Sequence, residues 1–238
     1  MEKYFTKDYA GESFRHFQAP HLAALGLILL LSLSFPFLRQ SAASTLTIIR
    51  MVMAAALVLN ELSWHGWNWR TGQWTIQTLL PLHLCGLMVW SSALMLVTRS
   101  YTLYEYLYFL GMGAASQALL TPDLGKYGFP HFRYFQTFIS HGLIFTAPIY
   151  MTVVEGYRPY WESILRVAVG VNVYMLVVGV INWRLGSNYM FIARKPDTPS
   201  LIDYLGPWPW YILSMEAIGL LLSLLLYLPF AIGDRLNL

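Results

Sequence analysis

Cysteine is almost absent: Cys85 is the single one among 238 residues. One thiol excludes an internal disulfide and any multi-thiolate zinc site, and says little about redox compartment. Charge is scarce as well. Charged residues make up 11% of the chain, against roughly 25% in an ordinary soluble domain. With 57% hydrophobic residues, the chain has too few polar groups to cover a globule of its size, and a bilayer is its expected solvent. The net charge of +3 comes from few residues with no clustered basic face, which argues against nucleic acid as a partner. No Walker A sequence and no HExxH occur, and the last apolar run has no lysine for a retinal Schiff base. The spacing of His65, His83, His131 and His141 carries no metal signature. No metal or cofactor is expected.

Long apolar runs dominate what is present. A membrane-crossing helix needs about 20 mostly apolar residues, and seven segments come close: 21–38, 45–62, 78–97, 101–120, 135–154, 164–183 and 208–232. The expected fold is therefore all-α, a polytopic bundle of about seven transmembrane helices forming one domain over residues 1–238. The bundle takes up 21–232, and residues 1–20 form an interfacial segment. That segment mixes acids and bases without an apolar run, so it is not expected to be a cleaved signal. Loops after segments one, three and five are short; those after two (65–77), four (121–134) and six (184–207) are longer and rich in Gly, Pro and aromatics. The long loops and the N-terminus share one elaborated face, opposite a plain one. The charges of the short loops place the plain face in the cytoplasm and the N-terminus outside.

Ionisable groups inside spans are costly and tend to face a bundle interior or cavity. Here they are few: Asn60, Glu61, His83, Cys85, Glu105, Gln117, His141, Asn172, Asn182 and Glu216. In LPLHLCGL, His83 and Cys85 are two apart, about 200° around a regular helix, so His83 is badly placed to activate the thiol. A base should come from another segment, and His141 in FISHGLIF leads because segments three and five both start at the elaborated face. A small buried hydrophobe is the competing role for Cys85, and a helix-bridging hydrogen bond that for each histidine. Asp123 in LLTPDLG suits either orienting a histidine or cationic headgroup, or forming a turn. Arg184, Arg194 and Lys195 suit a lipid phosphate or plain interfacial anchoring.

The blocks LPLHLCGL, LLTPDLG…FP, FQTFISHG, N…GSNYMFI…KP and LGPWPWY together resemble the YwaF-like (TP0381-type) bacterial integral membrane proteins, over nearly everything from segment three onward. That family is distantly related to a eukaryotic membrane lysophospholipid acyltransferase whose proposed nucleophile is a cysteine in the corresponding block. The resemblance implies a location in the bacterial cytoplasmic membrane and phospholipids and lysophospholipids as partners. It also implies Cys85 as nucleophile and, by position, His141 as its partner. His83, Asn182 and Asn188 are the open alternatives for stabilising an oxyanion, Asp123 is a supporting residue, and Arg184, Arg194 and Lys195 would hold the phosphate. A non-enzymatic lipid or small-molecule binding protein, a sensor or carrier, is the competing reading; there Cys85→Ser is silent.

Overall fold

The structure, a computed structural model, describes residues 2–197 and 200–236. It is helical throughout: α1 (Ala19–Ser34), α2 (Ala43–Arg70), α3 (Leu84–Thr98), α4 (Tyr101–Tyr106), α5 (Met112–Leu120), α6 (Phe132–Val153), α7 (Trp161–Leu185) and α8 (Trp210–Leu236). A π-helical turn, Leu107–Gly111, joins α4 to α5 without a break, so the eight helices make seven rods. Four stretches, Ala19–Leu38, Ala43–Arg70, Trp161–Leu185 and Trp210–Leu236, are each long and apolar enough to cross a membrane.

Local chemistry sets the ends of the rods. Pro20 lies in the first turn of α1, where a missing N–H is no loss. The Ser100 hydroxyl accepts from the Leu103 N–H and caps α4, one residue after Arg99 closes α3 in the left-handed conformation. Gly186, at φ +62°, closes α7 in the left-handed conformation that glycine adopts freely.

Two boundaries differ from the sequence expectation. The third segment, expected from residue 78, becomes helical only at Leu84, because Pro81 gives no N–H and disfavours a helical residue before it. The second runs on to Arg70, so Trp64, His65, Trp67 and Asn68 ride a helix instead of a loop.

The core lies between α2, α3, the π turn, α5 and α6, where Leu57, Met95, Leu96, Leu107, Ile144 and Met151 are buried. Around it, α1, α7 and α8 turn large apolar side chains outward, including Leu27, Leu30, Val169, Leu176 and Leu221. In lipid such a surface needs no cover. The N-terminal segment does not lie free on the membrane surface. Phe5 stacks on Phe132, Trp67 Nε1–H donates to the Phe5 carbonyl at 2.6 Å, and Phe14 packs against His21 and Phe138.

The plain end is pinned by charge. Arg50 Nε and Arg99 Nη2 meet the two oxygens of Glu155 at 3.0 and 2.5 Å, tying α2, α3 and the end of α6. Glu105 of α4 receives the Ser163 hydroxyl and Arg166 Nη2, the latter at 2.5 Å, which fastens α7.

Candidate functional site

The site starts from the turn that precedes α3. Tyr189 Oη accepts from the Leu80 N–H at 2.9 Å and donates to the Ile76 carbonyl at 2.7 Å, while Tyr174 Oη donates to Leu82. His83 is the N-cap residue of α3. Its Nδ1 accepts from the Met190 N–H at 3.2 Å, and its ring packs on Tyr189 and Phe191. His83 thus fastens the turn to the loop after α7. The helix opens with the Leu87 N–H donating to the His83 carbonyl at 3.0 Å, which leaves the N–H groups of Leu84, Cys85 and Gly86 ahead of the first intrahelical bond. A Cβ on Gly86 would sit 3.3 Å from Pro81 Cα, so glycine there lets the proline turn fold down onto the helix start.

Cys85 is half-buried beside those free N–H groups. His141 lies nine residues into α6. Its Nδ1–H donates to the Thr137 carbonyl at 2.9 Å, and a ring nitrogen that faces a carbonyl must carry the proton, so Nε2 presents a lone pair. Among the described residues no hydrogen bond joins it to Cys85. The helix packed beside α3, α2, carries a further ionisable group, Glu61. Its carboxylate is buried, with His65 Nε2 3.5 Å from Oε1. His65 Nδ1 accepts from Trp74 Nε1–H at 3.0 Å, which fixes the tautomer so that Nε2–H points at Glu61. The sequence shows Glu61 and His65 four apart, the spacing that places two residues on one helical face; ending the helix at residue 62 hid the pair.

Above this layer is a cleft of about 340 Å³ at the elaborated end, lined by Trp64, Trp67, Asp123, Lys126, Tyr127 and Arg133 among others. The Arg133 guanidinium lies 3.8 Å from the Trp64 ring centroid and donates to Gln136 Oε1. Glu61, Asp123 and His141 are all within its electrostatic reach. Among the described side chains, no carboxylate comes within ion-pair distance of it. Arg133 was not among the residues expected from the sequence.

The remaining sequence candidates scatter. The Asn182 amide donates to the Tyr189 carbonyl and its oxygen accepts from Tyr189 N–H and Ser187 Oγ. Asn188 likewise bonds Arg194 O, Ala193 N–H and Arg194 N–H. Both amides are therefore engaged in folding the loop after α7. Asp123 is brought to Arg133, not to a histidine. Arg184 and Arg194 are exposed, Arg184 over the Trp183 ring, and Lys195 Nζ donates to the Asp203 carbonyl.

A polytopic α-helical membrane protein is thereby defined, with a lone thiol in the first turn of a core helix. The chain belongs to the TMEM164 family, which it matches over residues 13–227. An uncharacterized protein of Treponema pallidum (strain Nichols) is 27% identical over 227 residues, covering 91% of this chain and 90% of that protein. No solved structure matches the chain.

Proposed function

We propose that this chain is a lipid acyltransferase embedded in the bacterial cytoplasmic membrane, moving acyl groups between phospholipids and lysophospholipids through a thioester on Cys85. The observation that carries the reading is the thiol in the first turn of α3, where the N–H groups of Leu84, Cys85 and Gly86 stand outside the helical ladder. The likeness to a eukaryotic acyltransferase with a cysteine in the corresponding block supports it.

In the first half-reaction Sγ attacks the ester carbonyl carbon and the thiol proton passes to a base, for which Glu61 and His141 are the candidates. The helix-head N–H groups are suited to meet the oxyanion. The carbon–oxygen bond then breaks and the lysophospholipid leaves with the proton. In the second half-reaction a lysophospholipid hydroxyl gives its proton to the same base and attacks the thioester carbonyl; the new ester forms, the carbon–sulfur bond breaks, and the base returns the proton to Sγ. His141 is a second candidate base because its Nε2 lone pair is unengaged.

The test is an intact-mass spectrum of protein purified from membranes and incubated with phospholipid and lysophospholipid. A hydroxylamine-labile acyl adduct on wild type, lost in Cys85→Ala, supports the reading. Whichever of Glu61→Gln and His141→Gln slows adduct formation a hundredfold or more identifies the base. No adduct and no acyl exchange sinks the enzyme and leaves a lipid-binding protein.

A further inference from the structure

We infer that the cleft at the elaborated end binds the zwitterionic headgroup of a phospholipid, with Arg133 on the phosphate and Asp123 on the ammonium. The inference rests on the reading above only in taking a lipid as occupant; it requires no chemistry at Cys85.

Three observations carry it. Arg133 sits in the cleft with one side-chain hydrogen bond, to Gln136, and an aromatic face beneath it. A guanidinium has five N–H donors in a fixed fork that matches a phosphate, so most of its donors here are left for a ligand. Its planar face resting on Trp64 holds the fork in one orientation.

Next, Asp123, exposed on the loop after α5, lines the same cleft as Arg133 yet lies outside ion-pair distance of it. A cation and an anion held apart across a cleft match a ligand that carries both charges. Lys126, also in the cleft wall, lies 3.8 Å from Asp8 Oδ1, so among the described residues Asp123 is the lining carboxylate without an ion-pair partner, and it disfavours an anionic headgroup.

Finally, the other walls are aromatic. Trp64 and Trp67 stack at 5.6 Å between centroids, and Tyr127 stands edge-on to Trp67 at 5.8 Å. Such faces attract an ammonium. The volume of about 340 Å³ falls in the range of small-molecule sites. Arg184, Arg194 and Lys195 lack this enclosure: two are exposed and the third is bonded to Asp203.

The experiment uses the full chain in maltoside micelles, with native mass spectrometry of added phosphatidylethanolamine, phosphatidylglycerol, diacylglycerol and inorganic phosphate. Wild type and Cys85→Ala should bind phosphatidylethanolamine equally, at least fivefold tighter than phosphatidylglycerol, with diacylglycerol weakest. Arg133→Gln should weaken both phospholipids at least tenfold. Asp123→Asn, an exposed loop change that leaves the fold intact, should bring phosphatidylglycerol level with phosphatidylethanolamine. Unchanged selectivity in Asp123→Asn overturns the inference even where Arg133→Gln fails to fold. So does diacylglycerol binding as tightly as the phospholipids, or inorganic phosphate matching phosphatidylethanolamine. Failure of acyl transfer with these binding differences intact would sink the enzyme and leave the headgroup site standing.

Discussion

The two ends of the bundle use the same kinds of charged residue in opposite ways. At the plain end Arg50, Arg99 and Glu155 are in direct contact, Glu105 takes Arg166 and Ser163, and Arg158 meets Asp234 at 2.6 Å. At the elaborated end Asp123 lines one cleft with Arg133, and neither it nor Glu61 comes within ion-pair distance of that guanidinium. The plain end joins helices whose partners are fixed in sequence and space, and a closed ion pair there holds register. The elaborated end keeps a cleft open, and charges left short of contact are what a ligand can complete. The comparison separates locking from binding inside one small protein.

Breaking the plain-end lock should have the largest effect on stability. Glu155→Ala leaves Arg50, which is 6% exposed, without its carboxylate. A buried charge stripped of its partner costs about 3 kcal/mol or more, to be read as a lower denaturation midpoint in detergent. Adding Arg50→Met to Glu155→Leu should recover most of that loss, since an apolar pair of similar volume often replaces a buried ion pair without penalty. If the double variant is no better than Glu155→Ala, the lock does more than neutralise Arg50.

Arg133→Gln is the matching change at the other end. It removes a cation from the Trp64 face but breaks no ion pair, so stability should move by about 1 kcal/mol or less while phospholipid binding falls. A destabilisation as large as that of Glu155→Ala would erase the distinction between the two ends.

The smallest effect concerns how the N-terminal segment is attached. His131 caps α6 with Nδ1, which accepts from the Arg133 N–H at 3.1 Å, and its Nε2–H donates to the Thr6 carbonyl at 3.0 Å. Burial of the ring lowers its pKa, and Arg133 and Lys126 act in the same direction, against the Thr6 bond. A depressed histidine stabilises the fold above its unfolded pKa of about 6.5. That stability drains away as pH falls below 6.5 toward the lowered folded value, because protonated Nδ1 can no longer accept. Tryptic cleavage at Lys3 and Lys7 should therefore quicken over that window. His131→Asn keeps a good N-cap and should make the cleavage rate independent of pH.

Much of the architecture was legible in the sequence because a bilayer asks for one thing, an apolar run of fixed length. The run at 101–120 matches α4 through α5 to the residue, and the Thr98–Ser100 break gives the α3–α4 hairpin. The head of α3 was not legible to the same accuracy. Apolarity continues through Thr78–Leu82, and what stops the helix there is Pro81 together with the Tyr174 and Tyr189 bonds from residues about a hundred positions further along the chain. His83 read as helical for the same reason, and its tie to Met190 spans 107 residues.

The candidate site divides in the same way. Sequence by itself determined that a lone thiol and several costly polar groups lie at membrane depth, since hydropathy and composition are local and additive. Only the tertiary structure decided which of them meet. Glu61 is paired with His65 on its own helix, His141 spends one nitrogen on its own helix, Asn182 and Asn188 fold a loop, and Arg133 lines the cleft. Electrostatic contact between side chains from α2, α3 and α6 depends on how those helices are rotated and staggered, and packing between distant segments sets both.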